Sequence, residues 1–136
     1  MENTKICIID DNEAVCDSLV FLFESFYDIK VKTFNDPLVF LQKFNPDWKG
    51  CLIIDLFMPS MNGLELLKEL KRTNKDTHII IITGHGNDDS GIQCMAAGAS
   101  AFITKPFNTD FLLDKVKTIL NHNVEQYLPI NKASSR

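Results

Sequence analysis

Residues 51–63 read Cys51-Leu52-Ile53-Ile54-Asp55-Leu56-Phe57-Met58-Pro59-Ser60-Met61-Asn62-Gly63, and this stretch decides the fold. The run from Cys51 to Ile54 is unbroken and apolar, the pattern of a strand buried on both faces. Pro59 and Gly63 then interrupt regular structure and force a loop. Asp55 is thereby delivered to the mouth of a sheet. Three other segments end in the same way. Ile6-Cys7-Ile8-Ile9 leads to Asp10-Asp11, Ile79-Ile80-Ile81-Ile82 leads to Thr83-Gly84, and Ala101-Phe102-Ile103-Thr104 leads to Lys105-Pro106. Acids, a hydroxyl and an amine therefore stand at the carboxyl ends of buried strands, where core packing gives no reason for them.

Helical periodicity fills the gaps between strands expected near residues 5–10, 29–34, 50–55, 78–83 and 100–104. Val15, Leu19, Leu22 and Phe26 recur at helical spacing to about residue 27. Asp36-Pro37 supplies an acceptor at a helix cap and a proline in the first turn. Leu38, Phe40, Leu41 and Phe44 then make a short second helix that stops around Pro46. A third helix starts near Gly63 and turns Leu64, Leu67 and Leu70 toward the core. The segment from Asn87 to Gly98 is the weakest helix, with a polar first turn and an interior Gly91 that costs about 1 kcal/mol relative to alanine. Its apolar stripe is Ile92, Met95 and Ala96. Asn108 caps a fifth helix with Leu112, Val116, Ile119 and Leu120 inward.

Strands alternating with helices through right-handed crossovers give an α/β fold, a single doubly wound (βα)5 domain with helices on both faces of a parallel sheet. Ligands of such sheets bind beyond the carboxyl ends of the strands, where the strand order reverses. In the order 2-1-3-4-5, strands one and three flank that point, and they carry Asp10, Asp11 and Asp55.

Length and composition agree with one globular domain. The chain has 136 residues, 45% of them hydrophobic and 24% charged, with a formal net charge of −4. That balance argues against direct nucleic-acid binding by this domain, which would want a basic face. Cys7, Cys16, Cys51 and Cys94 form no CxxC pair, and Cys7 and Cys51 fall inside core strands as small apolar residues. Reduced cysteines, no signal peptide and no run of the roughly 20 apolar residues that span a bilayer indicate a cytoplasmic protein with no membrane partner. The expected division is a domain over 1–121 and a polar tail or interdomain linker over 122–136.

Three carboxylates at one crevice repel one another unless a cation joins them, and hard oxygen ligands with room for water suit Mg²⁺. A carboxylate can attack phosphorus and become an aspartyl phosphate. The charge that spreads over the transferring phosphoryl oxygens is neutralised by a divalent cation, an ammonium such as Lys105 and a hydroxyl such as Thr83.

This constellation resembles the receiver domain of two-component response regulators, a flavodoxin-like fold, over residues 4–120. The resemblance implies that Asp55 is the phosphoacceptor and that Asp10 and Asp11 are the acidic pair. Asp11 would contact the metal directly and Asp10 mainly through water, with Asp55 and the Phe57 backbone carbonyl completing the ligands. It implies further that Thr83 is the switch hydroxyl, Lys105 the phosphate-pairing lysine ahead of a cis Pro106, and Phe102 the aromatic switch. The stretches Thr83-Gly84-His85-Gly86 and Phe102-Ile103-Thr104-Lys105-Pro106-Phe107 look most like FixJ-type transcriptional regulators. The implied partner is a sensor histidine kinase or histidine phosphotransfer protein. The implied output is a change in the surface of the fourth helix, fifth strand and fifth helix that controls homodimerisation or docking.

Taken singly, these residues have bland readings: Asp10-Asp11 as a solvated turn, Thr83 as a strand-end hydroxyl, Lys105 as a surface lysine, Phe102 as core. Their joint position at the ends of parallel strands outweighs those readings. His85, two residues after Thr83, fits a solvated loop histidine at least as well as a contact to attacking water. A haloacid-dehalogenase-type phosphatase also uses Asp, Thr, Lys and Mg²⁺, but it wants a second Asp two residues beyond the nucleophile, and Phe57 stands there. Two outputs stay open: a stand-alone domain that docks partners or relays phosphoryl groups, and a transcriptional regulator whose DNA-binding part lies outside this chain.

Overall fold

The computed structural model describes residues 4–74, 76–84 and 88–123, with the side chains of 88, 122 and 123 excepted. The elements alternate without exception: β1 (Thr4–Ile9), α1 (Glu13–Phe26), β2 (Lys30–Phe34), α2 (Pro37–Lys43), β3 (Cys51–Asp55), α3 (Gly63–Thr73), β4 (His78–Thr83), α4 (Asp88–Ala96), β5 (Ala101–Thr104) and α5 (Thr109–Asn123). All neighbouring strands pair in parallel, in the order β2-β1-β3-β4-β5. This is the topology expected from the alternation of apolar strands and helices.

Period-two alternation splits the strand residues between two cores. Ile6, Ile8, Cys51, Ile53, Ile80 and Ile82 face α1 and α5 and meet Cys16, Leu19, Phe23, Leu112 and Val116. Cys7, Ile9, Leu52, Ile54, Ile79 and Ile81 face the other side and meet Phe40, Leu66, Leu67, Leu70 and Cys94. Both faces are covered, which is why the central strands carry the unbroken apolar runs 6–9, 51–54 and 79–82, whereas the edge strand β2, Lys30–Phe34, is largely polar and exposed. All four cysteines are free and buried, the two strand cysteines among them.

Local chemistry sets the helix starts. The side chains of Asn12 and Asp36 accept from the amides of Val15 and Leu38, and Pro37 opens α2. Asn62 and Glu65 form a reciprocal capping box at α3, with bonds of 2.8 and 2.9 Å. The Asn108 side chain accepts from Phe111 N–H at 3.0 Å, as expected of a cap.

The helical faces differ from the sequence expectation in three places. In α1 the buried residues are Cys16, Leu19 and Phe23, while Val15, Leu22 and Phe26 are only partly covered. The apolar stripe of α1 is broad, and the sheet selects its centre. Helix α2 ends at Lys43, short of Pro46, and Leu38 points outward. In α4 the expected stripe faces solvent: Ile92 is 67% and Met95 48% exposed, and Ala96 is exposed too, while Cys94 is fully buried. Small residues let α4 approach the sheet closely, so Gly91 and Cys94 mark its inner side. Helix α5 continues to Asn123, two residues beyond the expected boundary, and the rest of the expected tail lies outside the described residues. Among the described residues no helix is long and apolar enough to cross a membrane.

Tyr27 ties the end of α1 to α5, because its buried hydroxyl donates to the Leu113 carbonyl at 2.8 Å. Tyr27→Phe leaves that carbonyl short of its partner. The expected loss is about 1 kcal/mol of unfolding free energy in a denaturant titration; an unchanged midpoint would show that water replaces the hydroxyl.

Candidate functional site

Each acidic residue is placed by the end of a strand. Asp10 follows β1; its amide donates to the Phe34 carbonyl at 3.0 Å, and its carboxylate accepts from Asn12 N–H at 2.9 Å. The Cys16 thiol donates to the Asp10 carbonyl at 3.3 Å. These bonds hold Asp10 at 4% exposure, whereas Asp11 beside it is exposed. Asp55 is the last residue of β3, and the loop after it is fastened at both ends. Leu56 N–H donates to Ile82 O at 3.1 Å, and Gly63 N–H donates to Leu56 O at 2.7 Å.

Glycine is required at position 63 by contact. A Cβ there would lie 2.6 Å from the Asp55 carbonyl oxygen and 3.0 Å from Leu56 Cα. Thr83 ends β4 fully buried, and its carbonyl accepts from Lys105 N–H at 2.7 Å. The Lys105–Pro106 peptide is cis, as the resemblance implies.

The side chains converge. One carboxylate oxygen from each of Asp10, Asp11 and Asp55 lies within 4.8 Å of the others. Lys105 Nζ is 3.8 Å from a carboxylate oxygen of Asp10 and 3.8 Å from one of Asp55. Burial, followed by the charge of Asp10, pushes the Asp55 carboxyl up from 3.8 to about 6, against the pull of Lys105 and of a hydrogen bond from the Phe57 amide. Asp10 is likewise raised, chiefly by burial.

Three acids and one ammonium leave an excess of negative charge in a crevice where Asp10 and Asp55 are largely shielded from water. That donor set of hard oxygens, held close with one exposed member, fits a divalent cation that keeps part of its water.

Of the residues singled out from sequence, Asp10, Asp11, Asp55 and Lys105 meet here, with Thr83 at the adjoining strand end. Phe102 does not line the acidic crevice. Its ring packs on the core beneath α4, where a Cβ added to Gly91 would meet it at 3.2 Å. The Phe57 side chain is exposed, so only its backbone bears on the site. His85 lies outside the described residues. One positioning residue escaped the sequence reading, Asn12, and Gly63, read there only as a loop and helix start, proves to be fixed by backbone contact. Asn12 serves both as cap of α1 and as donor to Asp10, and its spacing two residues beyond an acid was the available signal.

Known proteins share both sequence and geometry. A family model described as the response regulator receiver domain matches residues 6–117. The transcriptional regulatory protein FixJ of Azorhizobium caulinodans is 36% identical over 125 residues, covering 92% of this chain and 59% of that protein. The response regulator protein TodT of Pseudomonas putida is 38% identical over 115 residues, covering 85% of this chain and 50% of its own length. The chain therefore spans about half the length of the curated relatives it matches. Full-length FixJ from B. japonicum superposes with a TM-score of 0.78 at 34% identity, over 89% of this chain and 59% of that one. A CheY-like receiver domain protein from Methanospirillum hungatei gives 0.79 at 27% identity, over 90% and 98% respectively.

Proposed function

This chain belongs to the response regulator receiver domains, and on that premise we propose that Asp55 accepts a phosphoryl group from a histidine kinase or histidine phosphotransfer protein and thereby switches the domain. The observation that carries the assignment is the convergence of three carboxylates, two of which, Asp10 and Asp55, lie 3.8 Å from Lys105 Nζ.

In the transfer, an Asp55 carboxylate oxygen forms a bond to phosphorus while the P–N bond of a phosphohistidine breaks. The imidazole leaves with the electron pair and takes up a proton. Asp10, Asp11, Asp55 and the Phe57 carbonyl would hold Mg²⁺, which supplies positive charge to the acids and to the transferring oxygens. Lys105 places its ammonium beside the same oxygens, and the Thr83 hydroxyl donates to the new dianion. Its neighbours have already excluded most water from Asp55, whose side chain is 11% exposed, so these interactions act at low dielectric.

Thr83 and Lys105, drawn inward, would free space for Phe102 to turn. The surface of α4, β5 and α5 would then change toward homodimerisation or partner docking, to the extent that the phosphoryl group binds the two states differently. Hydrolysis of the Asp55 phosphate resets the switch and turns over no external substrate. We further propose that the whole protein acts in the cytoplasm and regulates transcription through a part outside these 136 residues.

The test is the intact mass of the protein after incubation with acetyl phosphate, with and without Mg²⁺, followed by mapping of the adduct. One phosphoryl increment that needs Mg²⁺ and falls in the peptide 51–63 is expected. An adduct elsewhere, or no adduct and no beryllofluoride binding, overturns the assignment.

A further inference from the structure

Gly91 is the residue of α4 with the lowest helix propensity, since an interior glycine costs about 1 kcal/mol relative to alanine. The structure gives its position a use. A Cβ built on Gly91 would meet the Phe102 ring at 3.2 Å from Cδ2, 3.4 Å from Cε2 and 3.7 Å from Cγ. The ring therefore lies against the bare inner side of the helix, close enough that a methyl group at 91 would require it to give by a few tenths of an ångström.

Register fixes what lies on the ring's other side. Phe102 pairs with Ile81, and Thr83 pairs with Thr104. Side chains two apart on a strand share a face, so Thr83 and Phe102 both sit on the face covered by α4. Ile81 and Cys94 belong to the same core and are fully buried, which leaves the partly buried Phe102 as the adjustable member of this contact.

We propose that Gly91 is the seat that holds the Phe102 ring against α4 in the unphosphorylated state, so that the strength of the resting position is written at residue 91. The inference rests on the phosphoacceptor reading and deepens it by naming what opposes the switch. While the ring is seated, it supplies the packing that the glycine denies its own helix. When Thr83 moves toward the phosphoryl group, the ring follows into the space vacated on that face, and the first turns of α4 lose their support. Gly91→Ala fills the seat: the methyl group displaces the ring by a few tenths of an ångström or more and removes its preference for the resting position.

The test is a double-mutant cycle of Gly91→Ala with Phe102→Ala, read in two ways. Beryllofluoride titration in Mg²⁺ is expected to show affinity raised roughly fivefold by Gly91→Ala in the wild-type background, the equivalent of about 1 kcal/mol. No change is expected in the Phe102→Ala background, and the Phe102 ring resonances of the Gly91→Ala protein should shift toward their beryllofluoride-bound positions. Thermal unfolding, which needs no phosphoryl chemistry, should show alanine at 91 stabilising the Phe102→Ala protein more than the wild type. Equal effects in both backgrounds, or an affinity unchanged or lowered by Gly91→Ala, overturn the seat. Failure of the wild type to bind beryllofluoride would instead overturn the phosphoacceptor reading, and the unfolding cycle would still decide the contact.

Discussion

Asp55→Asn is expected to abolish the phosphoryl adduct and, in the absence of metal, to make the protein more stable at neutral pH by about 2–3 kcal/mol. Loss of the adduct follows from the loss of the nucleophilic oxygen. The gain in stability follows from the position of Asp55 among other charges. Its carboxyl titrates near 3.8 in an unfolded chain and is pushed up to about 6 in the fold, by burial first and by Asp10 second.

Between those two values the folded protein holds a proton that the unfolded chain has already released. Stability therefore falls as pH rises from about 4 to about 6, at up to 1.36 kcal/mol for each unit of difference, and stays lowered above that window. Asparagine has the same shape and no charge to bury, so the variant escapes this fall. The gap between variant and wild type should be near zero below about pH 4, open through about pH 6, and narrow when Mg²⁺ is added, because the cation stabilises the wild type by mass action. Denaturant titrations at a series of pH values with EDTA or Mg²⁺ measure all three. A wild type more stable than Asp55→Asn at pH 7 in EDTA would show that Lys105 outweighs the burial and repulsion.

The second large effect is expected at Gly63, where alanine adds a single carbon. That carbon would come 2.6 Å from the Asp55 carbonyl oxygen and 3.0 Å from Leu56 Cα. Both neighbours are backbone, so no side-chain rotation relieves the contact. The loop must open, and the 2.7 Å bond from Gly63 N–H to Leu56 O lengthens with it. Overpacking of this kind costs about 1–3 kcal/mol. The strand end that moves also carries the nucleophile, and a misplacement near 1 Å can cost roughly a hundredfold in rate. Gly63→Ala should therefore lower both the denaturation midpoint and the rate of adduct formation from acetyl phosphate, the rate by the larger factor. A variant as stable and as fast as the wild type would mean that the loop after β3 yields freely.

The order of these elements was legible because a parallel sheet covered on both faces demands apolar residues at every position of its central strands. Cys51 to Ile54 and Ile79 to Ile82 satisfy that demand, and little else in a soluble chain does. Asp10, Asp11, Asp55, Thr83 and Lys105 were legible for a related reason: polar groups directly after such strands stand at the ends the fold leaves open. Helix faces were less legible. The broad stripe of α1 was centred on Cys16, Leu19 and Phe23 only by the sheet beneath it. In α4, hydrophobicity pointed to Ile92 and Met95, yet close approach selected the small side, with Cys94 buried and Gly91 against Phe102.

What the sequence determined by itself was the set of elements, the parallel topology and the identity of the charged residues at the strand ends, because those depend on periodicity and on local breaks in the chain. What only the tertiary structure decided was distance. Strand order and register brought three acids within 4.8 Å of one another and placed Lys105 at 3.8 Å from two of them. They also brought Gly63 and Gly91 against neighbours that a side chain there would meet. Those are relations between residues far apart in the chain, and their energies depend on approach distance and burial, which no local pattern encodes.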